Sequence, residues 1–320
     1  MTSVLVLVAG ANADGLTSPG RQALAVAYGV AQALGASLKA VLLTPDAAAA
    51  TELAERGCET VYTVEGDDCA NPLALAASAA EQSQATIIIA SHGPELLQIL
   101  PRLAARLGGG CVMQATAVNV EGADIEVVAA IYGGAARATY TFPGDGPRII
   151  GLAPVRLEPP DRVAGQTAEI VTIAVTADPR VRVVKSATRA EGARLEDSRV
   201  VVSGGRGLKD RENYALIREL AVALNGMPGA SRAIVDESWA KPTEQVGLTG
   251  TIVSPELYFA VGISGASQHM AGCSNSRVLV AINTDRDAPI FRYANYGIVA
   301  DCLEILPELI RQAKQVAGAG

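Results

Sequence analysis

Apolar residues fall along this chain in short unbroken runs separated by Ala-rich stretches with a helical period. Ser3–Val8, Leu38–Leu43, Thr60–Val64 and Thr86–Ala90 read as strands apolar on both faces. Between them, Pro19–Leu34, Thr51–Arg56, Pro72–Gln82 and Glu95–Leu107 read as helices. Strands alternating with helices over short connections predict a parallel sheet covered on both sides. From about Gly110 the pattern becomes strand after strand: Ala115–Val120, Ile125–Tyr132, Ala136–Phe142, Arg148–Leu152 and Ile170–Val175. This stretch is expected to be a hairpin excursion that ends the first domain near Arg180–Ala187. The charged stretch Thr188–Ser198 is the expected linker.

Alternation then resumes. Arg199–Val202, Ser231–Val235, Thr251–Val253, Tyr258–Ile263 and Arg277–Asn283 read as strands. Tyr214–Leu224 and Leu303–Ala317 read as helices, and Ser264–Ala271 as a helix start. The expected fold is α/β with two domains, residues 1–186 and 187–320. Each is expected to be a mostly parallel sheet with flanking helices.

Composition narrows the function. The 320 residues exceed one ordinary core and fit two domains of about 150 residues. Hydrophobic residues are 49% and aromatics only 4%, so the cores must be built from Ala, Val, Ile and Leu. A net charge of −7 with no basic stripe argues against nucleic acid as a partner. Cys58, Cys69, Cys111, Cys273 and Cys302 are scattered and carry no metal-ligand spacing, which fits a reducing compartment. The start at Met1–Gly10 shows no secretion signal, and the apolar runs are too short to span a membrane. These features set the expectation of a soluble cytoplasmic protein.

With only His92 and His269, and no GxSxG or P-loop pattern, hydrolytic chemistry finds no residues to run it. A bound cofactor that carries the reaction itself fits better. The strongest segment is Leu257–His269, where an apolar strand runs into Gly262 and Ser264-Gly265 ahead of the expected helix start. Unpaired N–H groups there would suit a pyrophosphate. A structural corner with tightly packed glycines has the same layout. No GxGxxG follows an early strand, which weighs against an NAD(P) oxidoreductase.

Several stretches resemble the alpha subunits of electron transfer flavoproteins. They are Val202–Leu208, Gly229–Ala233, Gln245-Val-Gly with Thr249-Gly, Ser264, Gly265, Gln268, His269 and Gly272. Ala281-Ile-Asn283, Ala288–Phe291 and Tyr296–Asp301 continue the match. Residues 1–185 resemble the family only in texture and in pieces such as Leu100–Ala105. The resemblance implies a Rossmann-like C-terminal domain that binds FAD, with the first domain pairing to a beta subunit, and an electron carrier rather than a classical enzyme. Electrons would come from acyl-CoA or similar flavin dehydrogenases, as in fatty acid beta-oxidation, and pass to a quinone reductase or another acceptor.

Site roles follow by position. Arg206 would lie near the pyrophosphate or ribityl chain, and Ser231 and Arg232 would meet the flavin ring. Gln245 and Thr249 would hold its other edge, with Val246 a further cofactor contact. Gly262, Ser264, Gly265, Ala266, Ser267, Gln268 and His269 would bind phosphate and ribityl, with His269 at the O2 edge. Asn283 and Asp301 would fix the adenosine half, and Cys302 counts among the cofactor contacts. A guanidinium over the ring would favour the one-electron-reduced flavin. Without the family, Arg232 reads as a salt-bridged strand-edge residue and His269 as a packing histidine. Asp301 reads as the cap of the last helix, Trp239 as a packing anchor and His92 as a loop residue.

Leu248, Ser267 and Asn295 depart from the family pattern. A bifurcating complex oxidising NADH and a flavin-independent adenine-nucleotide binder stand as alternatives.

Overall fold

A computed structural model describes residues 2–12, 15–65, 71–91, 93–132, 136–154, 157–176, 180 and 194–318. The chain divides into two compact units, Met1–Ala187 and Thr188–Gly320. The expected linker lies largely outside the described residues, as does His92.

The first unit opens with β1 (Ser3–Val8), a two-residue ladder of β2 (Ala11–Asn12) with β3 (Gly15–Leu16), and α1 (Ser18–Leu34). It continues through β4 (Ser37–Leu42), α2 (Ala47–Glu55), β5 (Thr60–Val64), α3 (Pro72–Ser83), β6 (Ile87–Ala90) and α4 (Pro94–Leu107). Then follow β7 (Gly110–Glu121), β8 (Asp124–Ile131), β9 (Ala136–Tyr140), β10 (Arg148–Leu152) and β11 (Glu169–Ile173). Its main sheet has the order β11-β5-β4-β1-β6-β10-β7-β8-β9.

The central strand shows why its sequence is apolar throughout. Val4, Val6 and Val8 enter one core with α1, and Leu5 and Leu7 enter another with α3 and α4. A strand buried on both faces has no polar face to alternate with. Helix starts follow capping chemistry: Thr17 accepts from the Gly20 N–H and Asn71 from the Ala74 N–H. Asp46 caps α2 in the same way, so that helix starts at Ala47 rather than Thr51.

The region after Gly110 is not a simple excursion. β7, β8 and β9 do form an antiparallel meander. Yet β10 inserts between β6 and β7, parallel to both. β11 then returns to the far edge to pair with β5. Local pattern identifies these strands but carries no signal for such non-local pairing.

The second unit comprises β12 (Val200–Gly204), α5 (Tyr214–Ala223), β13 (Met227–Ala230), α6 (Arg232–Asp236), β14 (Leu257–Val261) and α7 (Ser267–Met270). It ends with β15 (Val278–Asn283), β16 (Tyr296–Val299) and α8 (Cys302–Gly318). The five strands are parallel in the order β13-β12-β14-β15-β16. α5 and α8 cover one face with Tyr214, Ile217, Leu220, Leu306 and Ile310. The other face packs on α7 and the loops around Val246 and Ile290.

Three local expectations need correction. Ser231–Val235 is not a strand: Ser231 stands at the N-cap and α6 follows, while the strand is Met227–Ala230. Pro228 is tolerated there because β13 is an edge strand. Thr251–Val253 contributes only an isolated bridge from Thr251 to Val246. The helix expected from Ser264 is a single turn beginning at Ser267, because Gly262 and Gly265 hold left-handed backbone with φ of 63° and 85°.

Candidate functional site

In the second unit the chain runs from β12 to β13 on one side, then crosses back to β14 on the other. The crevice at the carboxyl ends of β12 and β14 is therefore the switch point, where open α/β sheets hold their ligands. Both strands end in glycine loops. The Gly205 N–H donates to the Val261 carbonyl at 2.9 Å and the Gly207 N–H to the Gly262 carbonyl at 3.0 Å. A Cβ on Gly205 would stand 2.4 Å from the Gly262 oxygen. Only glycine allows the loops to meet.

Above this junction lies a cavity of about 710 Å³, within the range of cofactor clefts. The loop after β12 lines it with Arg206 and Gly207, and the start of α6, just after β13, with Ser231, Arg232 and Ala233. A third wall is Gln245–Thr249. The Val246 N–H donates to the Ala230 carbonyl at 2.9 Å, which fastens this loop to β13. Gln245 Nε2 donates to Thr249 Oγ1 at 3.0 Å. The Leu248 N–H reaches the Gln268 carbonyl at 2.7 Å, tying the third wall to α7.

The loop after β14 closes the site. Gly262, Ile263, Ser264, Ala266, Gln268 and His269 line the cavity, and Asn283 joins them from the end of β15. The Ile290 N–H donates to the Ser264 carbonyl at 3.0 Å, and Gly265 packs where a Cβ would stand 2.3 Å from that nitrogen. Among the described residues, the N–H groups of Ser264 and Ala266 have no backbone acceptor. Asn283 Nδ2 donates to the Ile263 carbonyl at 2.9 Å, bracing the loop from below.

His269 is buried, and its Nε2 lies 2.9 Å from the Tyr258 hydroxyl. Its Nδ1 is buried without a hydrogen-bond partner of acceptable geometry. Burial pushes the imidazole down to about 4, with the Val246 backbone opposing the shift, so the ring is neutral at pH 7. Desolvation is the cause, since a one-turn helix supplies little dipole.

Two guanidinium groups, Arg206 and Arg232, give the lining its formal charge, and no carboxylate is among the lining residues. Each is held outside by an exposed acid, Arg206 by Glu237 at 3.0 Å and Arg232 by Asp236 at 3.3 Å. Arg232 thus makes the salt bridge foreseen for it, on a helix rather than a strand edge.

The structure gathers Arg206, Ser231, Arg232, Gln245, Val246, Thr249, Gly262, Ser264, Ala266, Gln268, His269 and Asn283 around one cavity. Gly265, Ser267, Asp301 and Cys302 are not among the lining residues. Asp301 accepts from the Leu303 N–H at 3.0 Å at the start of α8 and pairs with Lys209 at 2.5 Å. Cys302 directs its thiol to the Gly207 carbonyl at 3.5 Å. Gly207, Ala233, Gly247 and Ile263 join the lining without having been singled out. The signal for Gly247 was present in the Gln245-Val-Gly match; in the structure its φ is 144°, and a Cβ on Gly272 would stand 2.4 Å from its Cα.

An elongated dianionic dinucleotide fits this donor set. The glycine junction admits close approach, two cations offset the pyrophosphate charge, and hydroxyl and amide groups meet the remaining polar edges.

Comparison with known proteins agrees. Residues 194–274 match the family model described as the electron transfer flavoprotein FAD-binding domain, and residues 4–178 match the electron transfer flavoprotein domain. The first half of the chain therefore shares more with the family than texture. Protein FixB of Clostridium saccharobutylicum is 34% identical over 303 residues, 91% of this chain and 90% of the relative. The electron transfer flavoprotein subunit alpha of Bacillus subtilis is 36% identical over 239 residues, 74% and 73% of the two chains. That of Paracoccus denitrificans reaches 50% over 147 residues, 45% of this chain and 48% of its own.

Proposed function

The chain belongs to the electron transfer flavoprotein alpha-subunit family, and we propose that it is the FAD-carrying half of a heterodimeric electron shuttle. Its cofactor is FAD. When bound, FAD supplies the one-electron chemistry. The protein's part is to hold the cofactor, exclude competing reactions and set its electronics.

The observation that carries the proposal is the cavity at the β12–β14 switch point, lined by two arginines and no carboxylate. Arg206, beside the glycine junction, would face the pyrophosphate together with the N–H groups of Ser264 and Ala266. Arg232 would lie against the flavin ring, a fixed positive charge that favours the reduced form. The Gln245–Thr249 pair would orient the ring without offering a base. A neutral His269 would add a hydrogen bond and no charge. Asn283 would bound the adenosine side, with Asp301 and Cys302 acting from behind through Lys209 and the Gly207 loop.

Donors on this reading are flavin dehydrogenases such as those for acyl-CoA, and the acceptor is a quinone reductase or another redox protein. The first unit would meet a beta subunit. No described helix is long and apolar enough to cross a membrane; on this reading the carrier works in the cytoplasm.

The test mixes the purified heterodimer with a substrate-reduced acyl-CoA dehydrogenase and follows flavin bleaching. Rapid bleaching that ferricyanide reverses supports the carrier. Bleaching by NADH alone, with none from the dehydrogenase, supports the bifurcating alternative instead.

A further inference from the structure

We infer that Glu237 is a positioning residue that sets Arg206 for the pyrophosphate of FAD. Its carboxylate accepts from Arg206 Nε at 3.0 Å, which leaves both terminal amino groups of the guanidinium for the cofactor. The role rests on the proposed placement of the pyrophosphate beside Arg206.

Arg206 opens the short turn Arg206–Leu208 after β12 and lines the cavity. Its side chain is 70% exposed, so little packing fixes this long, rotamer-rich arm. Among the described residues, Glu237 is the hydrogen-bond partner that the guanidinium has. With Nε taken, Nη1 and Nη2 remain, an end-on pair that can meet two phosphate oxygens at once. An arginine set before binding loses less freedom when the cofactor arrives.

Glu237 is itself held in place. It follows α6, and its N–H donates to the Ala233 carbonyl at 3.2 Å. Ser238 then takes left-handed backbone with φ of 61°, a conformation costly for a residue with a Cβ. Two bonds close that turn: the Ser238 N–H to the Val235 carbonyl at 2.9 Å, and the Trp239 N–H to the Ile234 carbonyl at 2.8 Å. Trp239 packs against the core under α5 and α8, so it anchors the turn that presents Glu237. The neighbouring Asp236 meets Arg232 in the same way, through Nε at 3.3 Å. Two adjacent acids thus hold both cavity arginines by the same nitrogen.

The test measures the binding of FAD to the flavin-stripped complex of this chain with its beta subunit. Glu237→Ala should raise the dissociation constant about two- to fivefold. Its unfolding midpoint should match wild type, because the pair is exposed. In an Arg206→Lys background, which keeps the charge but has no Nε, the same substitution should not weaken binding. Unchanged or tighter binding by Glu237→Ala overturns the inference, since the acid would then be idle or would compete with the phosphates for Arg206. Equal weakening in the Arg206→Lys background overturns it too, because the effect would not pass through Nε. A wild-type complex that takes up no FAD contradicts the placement of the cofactor, and with it the role of Glu237.

Discussion

Gly207 and Gly262 meet backbone to backbone, so that a Cβ on Gly207 would stand 2.6 Å from the Gly262 Cα. This contact joins the two loops that leave β12 and β14, and it sets the floor of the cavity. Gly262→Ala adds a methyl 2.8 Å from the Gly207 Cα at a residue whose φ is 63°. The expected cost is about 1–3 kcal/mol of stability and a clear loss of FAD retention. Chemical denaturation and flavin content after gel filtration measure the two effects. A variant with native stability and full flavin would show that the junction is not needed.

Arg232→Ala separates charge at the cavity from stability. Its pair with Asp236 joins side chains 67% and 63% exposed, so breaking it should change stability by about 0.5 kcal/mol or less. FAD should remain bound, while the one-electron-reduced flavin loses stabilisation. Stepwise reduction under controlled potential measures this, and equal yields in wild type and variant would remove Arg232 from the role.

In the first unit, Glu52 is buried between α1 and the β2–β3 ladder, bonded to Arg21 at 2.7 Å, Arg56 at 2.9 Å and the Leu16 N–H at 3.0 Å. Burial alone would raise its carboxyl, but the Arg21 and Leu16 bonds with Arg56 bring it down to about 2. The folded value lies below the unfolded one, so this stability is present above about pH 4.5 and is lost as pH falls toward 2. Glu52→Gln should destabilise by about 2–4 kcal/mol at pH 7 and by progressively less in acid. Unfolding midpoints across that range measure it, and a gap independent of pH would contradict the assignment.

His269 titrates with the same sign for a different reason. Burial drops the imidazole from 6.5 to about 4, so as pH falls the unfolded chain takes up this proton first. Its contribution is intact above about pH 6.5 and fades as pH approaches 4. His269→Gln should flatten the pH dependence of stability in that window. An unchanged profile would mean that the ring is solvated.

The uniformly apolar β1 and the helices α1, α3 and α4 were legible because strand burial and helical period are local, whereas the Asp46 cap that starts α2 at Ala47 went unread. What was not legible was set by distance along the chain. The insertion of β10 between β6 and β7 has no local signature. Ser231–Val235 looks like a strand because Ile234 and Val235 are β-branched, yet one cap and one turn of helix place Arg232 at the cavity. The motif residues from Arg206 to Asn283 pointed to one site. Sequence spacing could not separate residues that line it from those that brace it, such as Asp301, whose carboxylate is committed to Lys209 and the Leu303 N–H.

The most direct measurement is the flavin content of this chain co-purified with its beta subunit. The account predicts a yellow complex that carries FAD in the site of this chain, with the cofactor reduced or lost when Gly262 or Arg206 is replaced. A complex that stays colourless and redox-silent after incubation with FAD would contradict it.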